Sequence, residues 1–103
     1  GDAMISGINH ITLATSDLTR SLSFYRHVLG CELVHVWEGG AYLEAGGVWL
    51  CLSYDAEARA SKDYSHIAFD VQLENFEELS ARIVSAGMEI WKKNRSEGDS
   101  LYF

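Results

Sequence analysis

The sequence predicts an α+β domain made of two βαβββ modules in tandem, the second lacking its last strand. Three observations carry this. The segment "NHITL" near the start returns as "SHIAF" in the second half; each histidine is followed by an apolar helical stripe that closes on glycine about twenty residues later; and alternating segments separated by glycine pairs follow the first helix.

From Ile8 to Thr15 the alternation puts His10, Thr12 and Ala14 on one face of a strand and Ile11 and Leu13 on the other. Asp17 is placed to cap a helix along which Leu18, Leu22, Tyr25 and Leu29 recur at helical spacing, and Gly30 ends it. Strands are expected over Glu32 to Trp37, Ala41 to Glu44 and Val48 to Ser53, with tight turns at Gly39-Gly40 and Gly46-Gly47. The order then restarts. Ser65 to Val71 reads as a strand carrying His66, Ala68 and Asp70 on one face. Asn75 and Glu78 have capping-box spacing; Phe76, Leu79, Ile83 and Ala86 form a stripe, and Gly87 terminates the helix. "MEIWKK" and "SLYF" supply two more strands. Residues 1–3, ahead of Met4, read as a cloning remnant; 4–103 form one domain, with module one at 4–54, a charge- and alanine-rich linker at 55–63 and module two at 64–103.

With 48% hydrophobic residues, three tryptophans and no proline in 103 residues, the chain has the material for one packed core. Its formal charge of -7 argues against general nucleic-acid binding, which needs a basic surface to neutralise phosphates. No apolar run approaches the roughly 18 residues of a spanning helix, and no basic-then-apolar leader opens the chain, so a cytoplasmic protein without membrane contact is expected. Cys31 and Cys51 lack metal-type spacing and read as two thiols rather than a disulfide.

A lone histidine on a strand is usually structural; two at matching positions of a repeat are different. If the modules pack about a pseudo-twofold axis, His10 and His66 converge, and paired imidazoles suit Mn, Fe, Ni or Zn while leaving coordination positions open. His27, near a helix C-terminus, and His35, without a duplicated partner, are weaker candidates. Thr12 shares the face of His10, and Tyr42 and Trp49 offer an apolar wall or plain core packing. Lys92, Lys93 and Arg95 mark either an anion site or a solvated turn. Lys92, Ser96, Ser100 and Tyr102 can hydrogen-bond an anion, while carbonyls from Asn94 to Ser100 and the Glu97 carboxylate can hold a monovalent cation.

At these residues, through "INHITLAT", "SFYRHVLG", "GAYLEAGGVWLCLS", "DYSHIAF" and above all "WKKNRSEGDSLYF", the sequence from Met4 to Phe103 resembles the vicinal oxygen chelate superfamily. It looks most like the fosfomycin-resistance glutathione transferases of the FosA type. The resemblance implies His10 and His66 as ligands of Mn(II) or another divalent metal, and Thr12 as a catalytic hydroxyl beside the epoxide. It further implies Tyr42, Trp49, Lys92, Ser96, Ser100 and Tyr102 as contacts to a phosphonate substrate. Asn94, Ser96, Glu97, Gly98 and Ser100 match a loop for an activating K+. Glutathione is the implied co-substrate, attacking the epoxide as the metal draws charge from its oxygen. By the same resemblance the chain pairs as a homodimer. Family members continue into a further strand with a glutamate as third metal ligand, followed by an arginine; neither is in these 103 residues, which therefore read as truncated, with strand or domain exchange between chains expected. Two other classes stay open: a non-catalytic module that sequesters an antibiotic, and an inactive fragment.

Overall fold

The computed structural model describes residues 4–59, 65–90, 92–94 and 100–103, and the chain divides into two units, Gly1–Ala60 and Ser61–Phe103. In the first, β1 (His10–Thr15) leads to helix α1 (Leu18–Ser23), which widens into a π-helical stretch over Phe24–Val28 before β2 (Glu32–Trp37), β3 (Gly40–Ala45) and β4 (Val48–Tyr54). The strands form one sheet in the order β1-β4-β3-β2, with β1 parallel to β4 and the other pairs antiparallel.

The predicted pattern holds here because each local signal agrees with the packing. Asp17 caps α1, its carboxylate accepting from the backbone N–H of Arg20 at 3.1 Å, an interaction of about 1 kcal/mol. Leu18, Leu22 and Tyr25 then face the sheet, where Ala41, Leu43, Leu50 and Leu52 form a buried cluster joined by Ile11, Leu13, Cys31 and Leu33. Gly46 and Gly47, at φ +57° and +89°, make the two-residue turn from β3 to β4, whose backbone favours glycine at both positions.

The other glycine pair works differently from the expectation. The turn falls at Glu38-Gly39, and Gly40 already belongs to β3. Gly40 answers to close approach rather than dihedral freedom: a Cβ there would collide with the Leu52 carbonyl oxygen and lie 2.7 Å from the Trp37 ring. Strand β2 also holds a bulge between Leu33 and His35 that alternation alone does not reveal.

The second unit contains α2 (Leu73–Ser85) and a hairpin of β5 (Lys92–Asn94) with β6 (Ser100–Tyr102). Of the stripe, Phe76, Leu79 and Ile83 are the covered positions, Ile83 fully buried, while Ala86 is exposed as the C-cap. Gly87 closes the helix at φ +82°, with N–H bonds from Gly87 to Val84 and from Met88 to Ile83 capturing the terminal carbonyls. Three expectations need correction. Asn75 is not the cap: the helix is entered from Gln72, which makes no side-chain cap hydrogen bond, and Asn75 already lies in the first turn. Met88 to Ile90 are outside the strand, which begins at Lys92. Residues 65–72 carry no ladder, and Ile67, Phe69 and Val71 are 39%, 40% and 36% exposed. A strand exists only with a partner to take its backbone hydrogen bonds. In the first unit β1 takes its ladder from β4, whereas among the described residues 65–72 pair with no strand.

Neither cysteine is in a disulfide; Cys51 is buried and Cys31 half-buried. Burial raises the Cys31 thiol above its ordinary range, and burial followed by the nearby Cys31 raises the Tyr25 phenol.

Two stability measurements check this architecture. Gly40→Ala is expected to cost about 1–3 kcal/mol in urea unfolding, whereas Gly39→Ala, whose Cβ meets only the Trp37 ring at 3.6 Å, should stay within about 0.5 kcal/mol of the parent. Because the folded state holds the Cys31 proton more tightly than the unfolded chain, the stability from its neutral form is complete below the unfolded thiol value of about 8.5. It is lost as pH rises from there through the raised folded value. Denaturation midpoints across that window should fall more steeply in the parent than in Cys31→Ala.

Candidate metal and ligand site on the first sheet

The face of the first sheet opposite the leucine cluster is laid out by register. His10 pairs with Trp49, Trp49 with Glu44 and Glu44 with Glu32, so these four stand in one row across the strands. The next row is Thr12, Cys51, Tyr42 and His35; the third is Ala14, Ser53, Gly40 and Trp37. Strict alternation along β2 would have turned His35 and Trp37 toward the core with Leu33. The bulge resets the phase and brings them onto this open face.

The rings on that face touch. Trp37 and Tyr42 have centroids 4.9 Å apart, Tyr42 and Trp49 meet edge to face at 6.2 Å, and His35 stacks on Trp37 at 5.9 Å. Tyr42 and Trp49 stay 39% and 43% exposed, so they form a wall rather than core. At one end of this wall lies an open concavity of about 250 Å³ lined by Asn9, His10, Tyr42 and Trp49. That is somewhat below the roughly 300–1,000 Å³ of drug-sized clefts, a size for a ligand of few heavy atoms.

Thus His10, Tyr42 and Trp49 are brought together, with Thr12 one row away on the same face. Two contributors escaped sequence reasoning. Trp37 was hidden by the bulge. Asn9 lies just before β1; its side-chain oxygen is 2.9 Å from His10 Nδ1, and its backbone carbonyl accepts from the Trp49 N–H at 3.4 Å. The only signal for Asn9 was its adjacency to the histidine.

His66 belongs to the second unit, exposed on the stretch 65–72. Positions 92 and 102, and 94 and 100, are directly opposed in the hairpin. Lys92, Asn94, Ser100 and Tyr102 therefore occupy one register face of that ribbon and Lys93 and Leu101 the other. Ser96, Glu97 and Gly98 lie outside the described residues. Among the described residues no three of His, Cys, Asp and Glu cluster as a complete metal site. Glu44 stands in the row of His10, separated from it by Trp49. No helix among them is long and apolar enough to cross a membrane.

Comparison with known proteins gives this face a context. A family profile described as Glyoxalase/Bleomycin resistance protein/Dioxygenase superfamily matches residues 7–103. The chain belongs to that superfamily. Within this glyoxalase superfamily, it is 50% identical over 105 residues to the glutathione transferase FosA of Serratia marcescens, covering 97% of this chain and 74% of the relative. It is 35% identical to the fosfomycin resistance protein FosX of Listeria innocua, covering 97% and 82%. Among solved structures, a mutant of FosX from Listeria monocytogenes in complex with Mn(II) and 1S,2S-dihydroxypropylphosphonic acid superposes with a TM-score of 0.84 at 30% identity, covering 97% of this chain and 84% of that one. The α+β fold of the glyoxalase superfamily is therefore shared by chain and relatives alike.

The ring contacts are open to a double-mutant cycle. Tyr42→Leu and Trp49→Leu should show a coupling of about 0.5–1.5 kcal/mol in urea unfolding; additive losses would mean that the two rings do not support one another.

Proposed function

We propose that this chain is a metal-dependent thiol transferase that adds glutathione to the epoxide of fosfomycin. The observation that carries the reading is His10 set beside the Tyr42–Trp49 wall in a small open concavity, in a chain half identical to a FosA glutathione transferase.

His10, with Nδ1 engaged by Asn9, retains a nitrogen suited to a divalent ion. His66 is proposed as the second imidazole, and Mn(II), present with a phosphonate in the FosX complex, as the ion. When bound, such an ion supplies Lewis acidity toward an ether oxygen. The chain's own groups do the rest. Tyr42 and Trp49 exclude water from one side of a small substrate and orient it. Thr12, in the neighbouring row, is the hydroxyl assigned to the reacting end, donating a hydrogen bond where negative charge develops as the carbon–oxygen bond breaks. The incoming thiol gives up its proton and its sulfur bonds to that carbon as the carbon–oxygen bond breaks, while the oxygen stays on the adjacent carbon and takes a proton to become a hydroxyl. Lys92, Ser96, Ser100 and Tyr102 are proposed to take the phosphonate, since an ammonium and hydroxyl groups match its charge and acceptor oxygens. Asn94, Ser96, Glu97, Gly98 and Ser100 are proposed to hold K+. A homodimer in the cytoplasm, where a thiol co-substrate is kept reduced, completes the proposal.

Product analysis by mass spectrometry with Mn(II), K+, glutathione and fosfomycin should show the thioether adduct. His10→Ala is expected to lower turnover by about 10²-fold or more, and Trp49→Ala to raise KM by about tenfold. Calorimetric binding of fosfomycin that survives both chelation and His10→Ala, with no adduct formed, would instead support a sequestering module.

A further inference from the structure

The imidazole of His10 has two nitrogens, and the geometry at Asn9 distinguishes them. The side-chain oxygen of Asn9 lies 2.9 Å from His10 Nδ1. An amide oxygen only accepts hydrogen bonds, so Nδ1 must carry the proton in this contact. In a neutral ring the lone pair available to a cation is then at Nε2. Asn9 is itself held in place, since its backbone carbonyl accepts from the Trp49 N–H at 3.4 Å and ties the residue to β4. Asn9 and His10 line the same concavity, next to Tyr42 and Trp49.

We propose that Asn9 is a positioning residue that holds His10 in the Nδ1-protonated tautomer, leaving Nε2 to accept a divalent cation. This inference rests on the metal role given to His10 above and deepens it. The part proposed for Asn9 is indirect and exerted through the His10 ring. Its contribution is to remove the freedom of the ring to present the wrong nitrogen, the part that outer hydrogen-bond partners of metal-binding histidines commonly play. The neighbouring positions do not offer the same service: Trp49 is a donor only, and Glu44 lies one strand further away.

The test begins with metal-free protein carrying ¹⁵N-labelled histidine at about pH 8, where an ordinary imidazole is neutral. Long-range proton–nitrogen spectra should show a protonated Nδ1 and an unprotonated Nε2 for His10. In Asn9→Ala the signal is expected to move toward the Nε2-protonated tautomer, and Asn9→Asp, which keeps an oxygen acceptor, should restore the parent pattern. Mn(II) titration followed by electron paramagnetic resonance should show affinity falling about tenfold or more in Asn9→Ala and recovering in Asn9→Asp. An Nε2-protonated ring in the parent, or an unchanged tautomer in Asn9→Ala, overturns the role of Asn9. Mn(II) binding that is unaffected by His10→Ala overturns the metal role itself. The two failures are thus separable: loss of Mn(II) binding in His10→Ala together with an unchanged tautomer in Asn9→Ala removes Asn9 and leaves the metal reading standing.

Discussion

The parallel pairing of β1 with β4 is the constraint on which the first unit depends. It joins the two ends of the module, and its register sets Ile11 and Leu13 beside Leu50 and Leu52, closing the leucine cluster under α1. On the opposite face the same register sets His10 beside Trp49. Core and candidate site are two sides of one ladder. A one-residue slip would exchange them, turning Ile11 and Leu13 outward and burying the imidazole among leucines. A parallel pair also needs a long crossover, which α1, β2 and β3 supply, and the two strands contribute the remaining positions of each row.

The second unit offers a contrast to that pairing. Residues 65–72 have the pattern of β1, down to the histidine set between a polar residue and an isoleucine, yet carry no ladder. Composition makes a segment ready to pair, but the energy of a strand lies in hydrogen bonds and cross-strand contacts with a neighbour. Helix α2 needs no such partner for its backbone. Its hydrogen bonds are internal, and the stripe from Phe76 to Ile83 and the Gly87 terminus behave as their sequence suggests.

The arrangement of the open face also separates two kinds of aromatic residue. Tyr42 and Trp49 reached it by simple alternation, whereas Trp37 and His35 reached it through the bulge in β2. The extended array of rings is therefore partly a product of an irregularity on an edge strand, where one extra residue disturbs only a single neighbour's ladder. Glycine at position 40 belongs to the same arrangement, since the Trp37 ring lies where a side chain there would stand.

By itself the sequence determined the order of elements in the first unit, the helix ends at Asp17, Gly30 and Gly87, and the sharing of one face by His10 and Thr12. Those features follow from local periodicity and from the steric demands of single residues, which act over a few positions of chain. The repeat and its motifs also carried the family resemblance. Only tertiary structure decided that His10 stands beside Trp49, that Asn9 turns back onto the imidazole, that Gly40 serves close approach, and that residues 65–72 lack a ladder. Each of these depends on contacts between residues distant in sequence or on a shift of register, and neither leaves a period to be read along the chain.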